Sequence, residues 1–343
     1  MTPIARSSLI AVTAGALFGA TAPGVAFFGR GAGPSATATL LYAGAALGAL
    51  AVRAAAREAA VPRRQMPRLV LVAALGAALA PTCLAFGLQT TGPLAASLLL
   101  NLEAIFTVVL AWVVFREHVG TRVVSAAGAM LVGGALLALR GHDTRGDALG
   151  VLAVTVATLA WALDNTLTRP LADLDPRAVV RWKASLGAVM SLGVALFGGQ
   201  AWPRPLAAAG LVACGAVGYG ASLRLYLRAQ RALGAARTGS LFAVGPFVGA
   251  ALSFVLGDRA GAPLVLGASV CFVVAVYLHL TERHGHRHTH AALTHEHSHR
   301  HDDGHHTHVH EPPVEGEHTH SRAHDAVEHD HPHAMDLHHR HEH

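Results

Sequence analysis

The chain is 343 residues long, 52% hydrophobic and only 14% charged, with a formal net charge of +5. Soluble domains carry about 25% charged residues, so this composition cannot cover a water-facing surface; it excludes an ordinary soluble enzyme and nucleic-acid binding through a basic exposed face. The charge is also split, because residues 1–281 hold 21 Arg and Lys against 9 Asp and Glu, whereas residues 282–343 hold 5 Arg, 12 Asp and Glu and 22 of the 25 His.

Apolar runs occupy residues 8–28, 35–52, 69–88, 93–115, 122–139, 147–168, 178–198, 206–227, 238–256 and 263–281. A spanning helix needs about 20 apolar residues, so the runs predict an all-α membrane protein with ten transmembrane helices. The joints carry helix-breaking chemistry, as in Arg-Gly-Ala-Gly-Pro at 30–34, Val-Pro-Arg-Arg at 61–64 and Trp-Pro-Arg-Pro at 202–205. Pro23, Pro81 and Pro246 fall within runs; a bilayer tolerates them because neighbouring helices satisfy the freed backbone groups. The spacings Gly15/Gly19, Gly44/Gly48 and Gly245/Gly249 let helices approach closely. Cys83, Cys214 and Cys271 lie in apolar runs without a CxxC and read as small apolar residues. Ala20-Thr21-Ala22 has the outline of a signal cleavage site, but Pro23 would follow the cut, so the first span is expected to be retained.

Arginine sets the predicted orientation. With the N-terminus inside, inner joints hold 15 Arg and Lys and outer joints hold 5, which predicts cytoplasmic N- and C-termini in the inner (plasma) membrane. Shifting the chain by 141–142 residues aligns its halves: Glu103-Ala-Ile-Phe106 falls on Gly245-Pro-Phe-Val248, and Phe115-Arg-Glu-His-Val-Gly120 on Leu256-Gly-Asp-Arg-Ala-Gly261. Five spans per half is odd, so the halves, residues 1–141 and 142–282, are expected as inverted repeats with a substrate site at mid-membrane. The tail, residues 283–343, forms the third segment.

Gly245-Pro246 through Gly257-Asp258, and Glu103-Ala104 through Glu117, each give a fourth helix ending in an acid before a Gly or close to one. With two five-helix units, this pattern resembles the EamA family of the drug/metabolite transporter superfamily over residues 8–281. The resemblance implies a secondary transporter, not an enzyme, that moves small metabolites; it implies no particular substrate.

Ionisable groups at mid-bilayer cost about 2.5–3.5 kcal/mol on insertion scales, so each needs a reason. Glu103 is central in its span, with Asn101 as its one polar neighbour within three residues. It reads as a gate or proton-titrating carboxylate, or as a hydrogen-bonded structural one. Asp164, Lys183 and Arg224 lie near the inner ends of three spans, flanked by Trp161 and Asn165. They read as an ion-paired cluster on the pathway, or as a structural pair with Lys183 and Arg224 snorkelling to headgroups. Pro246 marks a helix break. No nucleophile–base set, P-loop or dinucleotide fingerprint occurs, and no cofactor is required.

From His284 onward no apolar period exists, so the tail is expected to be disordered when free of ligand. Its histidines repeat at i, i+2: His284, His286, His288 and His290; His295, His297, His299 and His301; His306, His308 and His310; His329, His331 and His333; and His339, His341 and His343. Neutral imidazoles so spaced suit Zn, Ni, Co or Cu. Expected partners are thus the lipid bilayer, a small-molecule substrate and divalent metal ions, with no nucleic acid. Three functions stay open: a metabolite exporter with a metal-binding tail, a divalent-metal exporter using the tail as sensor or buffer, and a metal-binding scaffold without transport.

Overall fold

The computed structural model describes residues 3–51, 61–115, 121–139, 145–168, 171, 174, 176–233, 235–258, 262–280, 285–290, 293–299, 318–324 and 327–332. Met1–Glu282 forms one compact unit and Arg283–Ala334 lies in a second.

The helical unit follows the apolar runs in order. Helices α1 (Pro3–Gly19) and α2 (Thr21–Phe28) make one rod, and α3 (Pro34–Ala51) the next. A third comprises α4 (Met66–Ala73), a π-helical stretch (Ala74–Leu79) and α5 (Ala80–Thr90). Then come α6 (Pro93–Leu99) with α7 (Leu102–Phe115), and α8 (Thr121–Leu139). The same series repeats as α9 (Arg145–Thr168), α10 (Pro176–Phe197), α11 (Pro205–Cys214) with a π stretch (Gly215–Ala221) and α12 (Ser222–Leu233), α13 (Ala235–Phe242) with α14 (Gly245–Val255), and α15 (Ala262–Leu280). Irregularities recur with the elements: the π stretches begin 141 residues apart, and both the α6–α7 and α13–α14 rods break in the middle.

Proline starts many of these helices because its fixed φ suits the first turn, where its missing N–H is no loss. Pro93 and Pro205 do this for α6 and α11. Ahead of α6 the chain turns at Gly92, whose φ of 86° a side chain would strain.

Among the described residues, five rods are long and apolar enough to cross a membrane: Ala5–Phe28, Arg63–Thr90, Ala148–Thr168, Ala178–Phe197 and Pro205–Gln230. Shorter apolar helices run over Pro93–Thr107, Val124–Leu137, Gly245–Val255 and Pro263–Leu278. Large apolar side chains point outward, with Phe197 97% and Leu206 83% exposed; such a surface needs lipid as its solvent.

Inside, small residues set the spacing. A Cβ at Gly19 would overlap the Gly245 backbone, and one at Gly249 would crowd the Gly19 carbonyl and Ser97. A Cβ at Gly44 would overlap the Val212 carbonyl. The glycine pairs seen in the sequence are therefore seams at which backbones touch, joining α1 to α14 and α3 to α11. Gly19→Leu is expected to destabilise the protein by about 1–3 kcal/mol or more, measured as a fall in melting temperature in detergent. Gly128→Ala, where nothing lies within 4 Å of the new Cβ, is expected to leave it unchanged or slightly raised.

One expectation is corrected. The tail was read as disordered, yet its described backbone forms two antiparallel ladders: β1 (Gly285–His290) with β4 (Val327–Pro332), and β2 (Leu293–His299) with β3 (His318–His324). The tail has no apolar period, but its His-x-His alternation is itself a period of two, which suits a strand.

Candidate functional site

The break in the α6–α7 rod builds the centre of the site. Leu100 and Asn101 interrupt the helix, and the Asn101 amide donates to the Leu98 carbonyl at 2.9 Å. Asn101 is buried, and this bond braces the break. Restarting the helix at Leu102 puts Glu103 in the first turn of α7. A residue near mid-span thus sits at a helix N-terminus, where the dipole favours an anion; its own N–H and that of Ala104 bond back to the Leu100 and Asn101 carbonyls at 3.2 and 3.1 Å.

Glu103 accepts a 2.7 Å hydrogen bond from the Asn165 amide of α9. Asn165 is exposed and Glu103 half-buried, so the pair faces open space. The preceding residue, Asp164, faces the other way. It is buried, paired with Lys183 Nζ of α10 at 2.5 Å, and accepts from the Thr168 hydroxyl at 3.2 Å. Two adjacent residues of α9 therefore link a carboxylate at an open face to an ion pair in a dry one.

Behind the ion pair lies the first π stretch. Its extra residue hands the Ala80 N–H to Leu75, and the following residue is Pro81, which has no N–H. The Gly76 carbonyl is thereby stranded. It accepts instead from Tyr42 Oη at 2.6 Å and Trp161 Nε1 at 3.0 Å. Gly76 must lack a side chain, because a Cβ there would overlap the Asp164 carboxylate. Rings from separate rods gather beside it: Phe18 lies 5.8 Å from Trp161, 5.7 Å from Tyr219 and 5.5 Å from Phe242, and Tyr42 lies 5.3 Å from Tyr219.

At one end of the unit, polar groups stitch rods together. Gln200 Oε1 accepts from the Ser35 N–H at 2.8 Å at the start of α3, and Asp258 Oδ2 accepts from the Leu94 N–H at 3.0 Å at the start of α6. Gln89 Nε2 donates to the Gly29 and Ala32 carbonyls at 3.2 and 3.0 Å.

Of the sequence candidates, the structure thus joins Glu103 with Asn165 and Asp164 with Lys183, and places Trp161 on the Gly76 carbonyl. Arg224 is half-buried on α12, a helix packed mainly on α1. Pro246 stands in the first turn of α14, just past that rod's interruption. His286, His288, His290, His295, His297, His299, His329 and His331 lie on the tail strands. His284, His301, His306, His308, His310, His333, His339, His341 and His343 lie outside the described residues, as does Glu117. Gly76 and Tyr42 were missed: in an ordinary helix Pro81 would strand the carbonyl of Ala77, four residues before it, and only the π stretch moves that loss to Gly76.

Two series of broken rods with apolar lengths that match a bilayer, and buried ionisable groups set within them, define a helical membrane protein. The chain belongs to the EamA-like transporter family, whose model matches it twice, over residues 6–139 and 148–280. It is 28% identical over 205 residues to an uncharacterized transporter of Methanothermobacter thermautotrophicus strain Delta H, a match covering 58% of this chain and 60% of that relative's length. A solved crystal structure of a protein superposes with a TM-score of 0.56 at 19% identity, over 80% of this chain and 96% of its own; that likeness speaks for the fold alone.

Proposed function

We propose that the protein is a ten-span secondary transporter, built from inverted halves 1–141 and 142–282, that exports a small polar metabolite such as an amino acid by alternating access. Its N-terminus and its tail, residues 283–343, are cytoplasmic, and the tail holds divalent metal. One observation carries the reading: a helix broken at mid-span sets Glu103 against the exposed Asn165 near the end of α9, while the neighbouring Asp164–Lys183 pair is buried. A bilayer keeps such groups where a polar solute or ion passes. In this orientation the stitched end, with Gln89, Gln200 and Asp258, faces outside and is shut. Asn165, in the last turn of α9, belongs to the side open to the cytoplasm.

A second reading, a divalent-metal exporter, is favoured by the histidine tail. Against it, no group of three or more His, Cys, Asp or Glu suited to a metal occurs among the described residues searched. Full-length protein and a version ending at Arg283 are to be reconstituted in vesicles and tested with an amino-acid panel beside Zn²⁺, Ni²⁺ and Co²⁺. Amino-acid flux by both forms is expected. Metal flux by the truncated form would sink the metabolite reading, and no flux at all would move the weight to a scaffold.

The shut end gives its own prediction. Gln200→Ala combined with Asp258→Ala is expected to raise labelling of Ser97→Cys by a membrane-impermeant thiol reagent, in a background lacking Cys83, Cys214 and Cys271. Unchanged labelling would remove the gate role of these contacts.

A further inference from the structure

Phe18 stands at the centre of the ring cluster beside the ion pair. Trp161 and Tyr219 meet it edge-on, at interplanar angles of 79° and 74°, and Phe242 lies tilted by 35°. α1 packs mainly on α12, α13 and α14, whereas α9 packs mainly on α5 and α7. The Phe18–Trp161 contact therefore bridges two groups of rods. Phe18 is half-buried in the last turn of α1, next to a loose joint. Pro23 of α2 has no N–H to give the Gly19 carbonyl, and the Thr21 hydroxyl serves the Phe18 carbonyl at 2.5 Å.

Core packing would account for these rings but not for the hydroxyl behind them. Tyr219 is 6% exposed, and its Oη has no hydrogen-bond partner among the described residues. Thr21 lies beside it but outside hydrogen-bonding geometry. The neighbouring Tyr42 hydroxyl is turned to the Gly76 carbonyl. A buried hydroxyl without a partner is costly, and nearly all such groups find one. The charged end lies close by. One turn of α9, a rise of about 6 Å, separates Trp161 from Asn165, whose amide occupies only Oε1 of the Glu103 carboxylate.

We propose that the socket of Trp161, Tyr219 and Phe242, filled here by Phe18, receives the ring of a phenolic amine whose ammonium binds Glu103 and whose hydroxyl pairs with Tyr219 Oη. Phe18 holds the substrate's place until α1 swings at its joint with α2 and withdraws the ring. Each part of the class follows from one contact. A carboxylate with a free oxygen selects a cation, through a charge-assisted hydrogen bond. Rings that meet edge to face select a flat apolar group, and their faces also attract an ammonium. The unpartnered hydroxyl selects a ring that bears a polar atom, because a site built around a substrate hydroxyl rejects the analogue lacking it. A short chain covers the one helical turn between the two ends. Free phenolic amines and amino acids with a phenol share this chemistry. The inference rests on the reading of the protein as a small-molecule carrier and names the class its site takes.

The test uses the full chain, in detergent for binding by titration calorimetry and in vesicles for flux. The probes are tyramine, tyrosine, phenethylamine, phenylalanine, alanine and p-cresol. Tyramine is expected to bind about 10-fold more tightly than phenethylamine, the size of one hydrogen bond to a buried group. Tyrosine is expected to exceed phenylalanine by a similar ratio, in flux as in affinity, and alanine by more. Comparing tyrosine with tyramine distinguishes the amino acid from the free amine. Tyr219→Phe is expected to bring the tyramine-to-phenethylamine ratio to about one; a general loosening of the fold weakens both amines alike and leaves the ratio in place. Glu103→Gln is expected to weaken tyramine about 10-fold more than p-cresol, which has the phenol without the amine. An unchanged ratio in Tyr219→Phe would overturn the proposal. If that variant does not fold, equal affinity of the native protein for tyramine and phenethylamine overturns it instead. Alanine flux with no preference for ringed amines would remove the phenolic class and leave the carrier. Tyramine binding without flux of any probe would remove the carrier and leave the site.

Discussion

Glu103→Gln is expected to flatten the pH dependence of transport and to lower its rate by about 10-fold. The substitution keeps the shape and a carbonyl acceptor for Asn165 but removes the charge. A hydrogen bond to a charged group contributes about 1.5–3 kcal/mol against about 1 for a neutral pair, and 1.4 kcal/mol is a factor of ten. The carboxylate also loses its match to the α7 N-terminus, worth a further 0.3–1 kcal/mol or so. The measurement is flux into vesicles over a series of internal pH values. Asn165→Ala, which leaves the charge in place, is expected to lower the rate while keeping the pH profile. If Glu103→Gln leaves both rate and profile as they were, the carboxylate is structural.

The largest stability effect is expected at the buried ion pair. Lys183→Met or Asp164→Leu alone leaves a lone charge among apolar groups, a change that costs about 3–5 kcal/mol. Asp164→Leu with Lys183→Met removes both charges and is expected to recover most of that loss, because well-packed apolar residues replace buried pairs at little cost. Melting temperature in detergent separates the three variants. Transport then assigns the pair: loss in the stable double variant places it in the transport cycle, and full activity confines it to packing.

The rods were legible in the sequence because membrane helices are written in composition, with proline and arginine at the joints. So were Glu103, Asp164, Asn165 and Lys183, since polar residues stand out in apolar runs. Their partners were not. Glu103 meets Asn165 across 62 residues, and nothing local distinguishes that pairing from the three-way cluster with Arg224 that the similar depths suggested. The π stretches were hidden for another reason: in Ala-Leu-Gly-Ala-Ala-Leu every position is apolar, so a change of helical period leaves no trace. Asn101 was legible as a polar residue but not in its local bonding, because a buried amide that braces a helix break and one that greets a substrate look alike in sequence. In the tail, spacing read as ligand geometry also fitted strand geometry, and one pattern served both.

Tyr42 on α3 and Lys183 on α10 stand 141 residues apart, the offset that relates the two series of rods. One copy of the position carries a phenol bonded to a stranded carbonyl, and the other an ammonium paired with a carboxylate. Glu103 likewise has Gly245 near its place in the other series, with no charge to answer it. A carrier made of two equal halves would sit as readily with either side open. Here the polar centre belongs to one half and has no counterpart in the other, so under the proposed alternating access the two open states differ in energy.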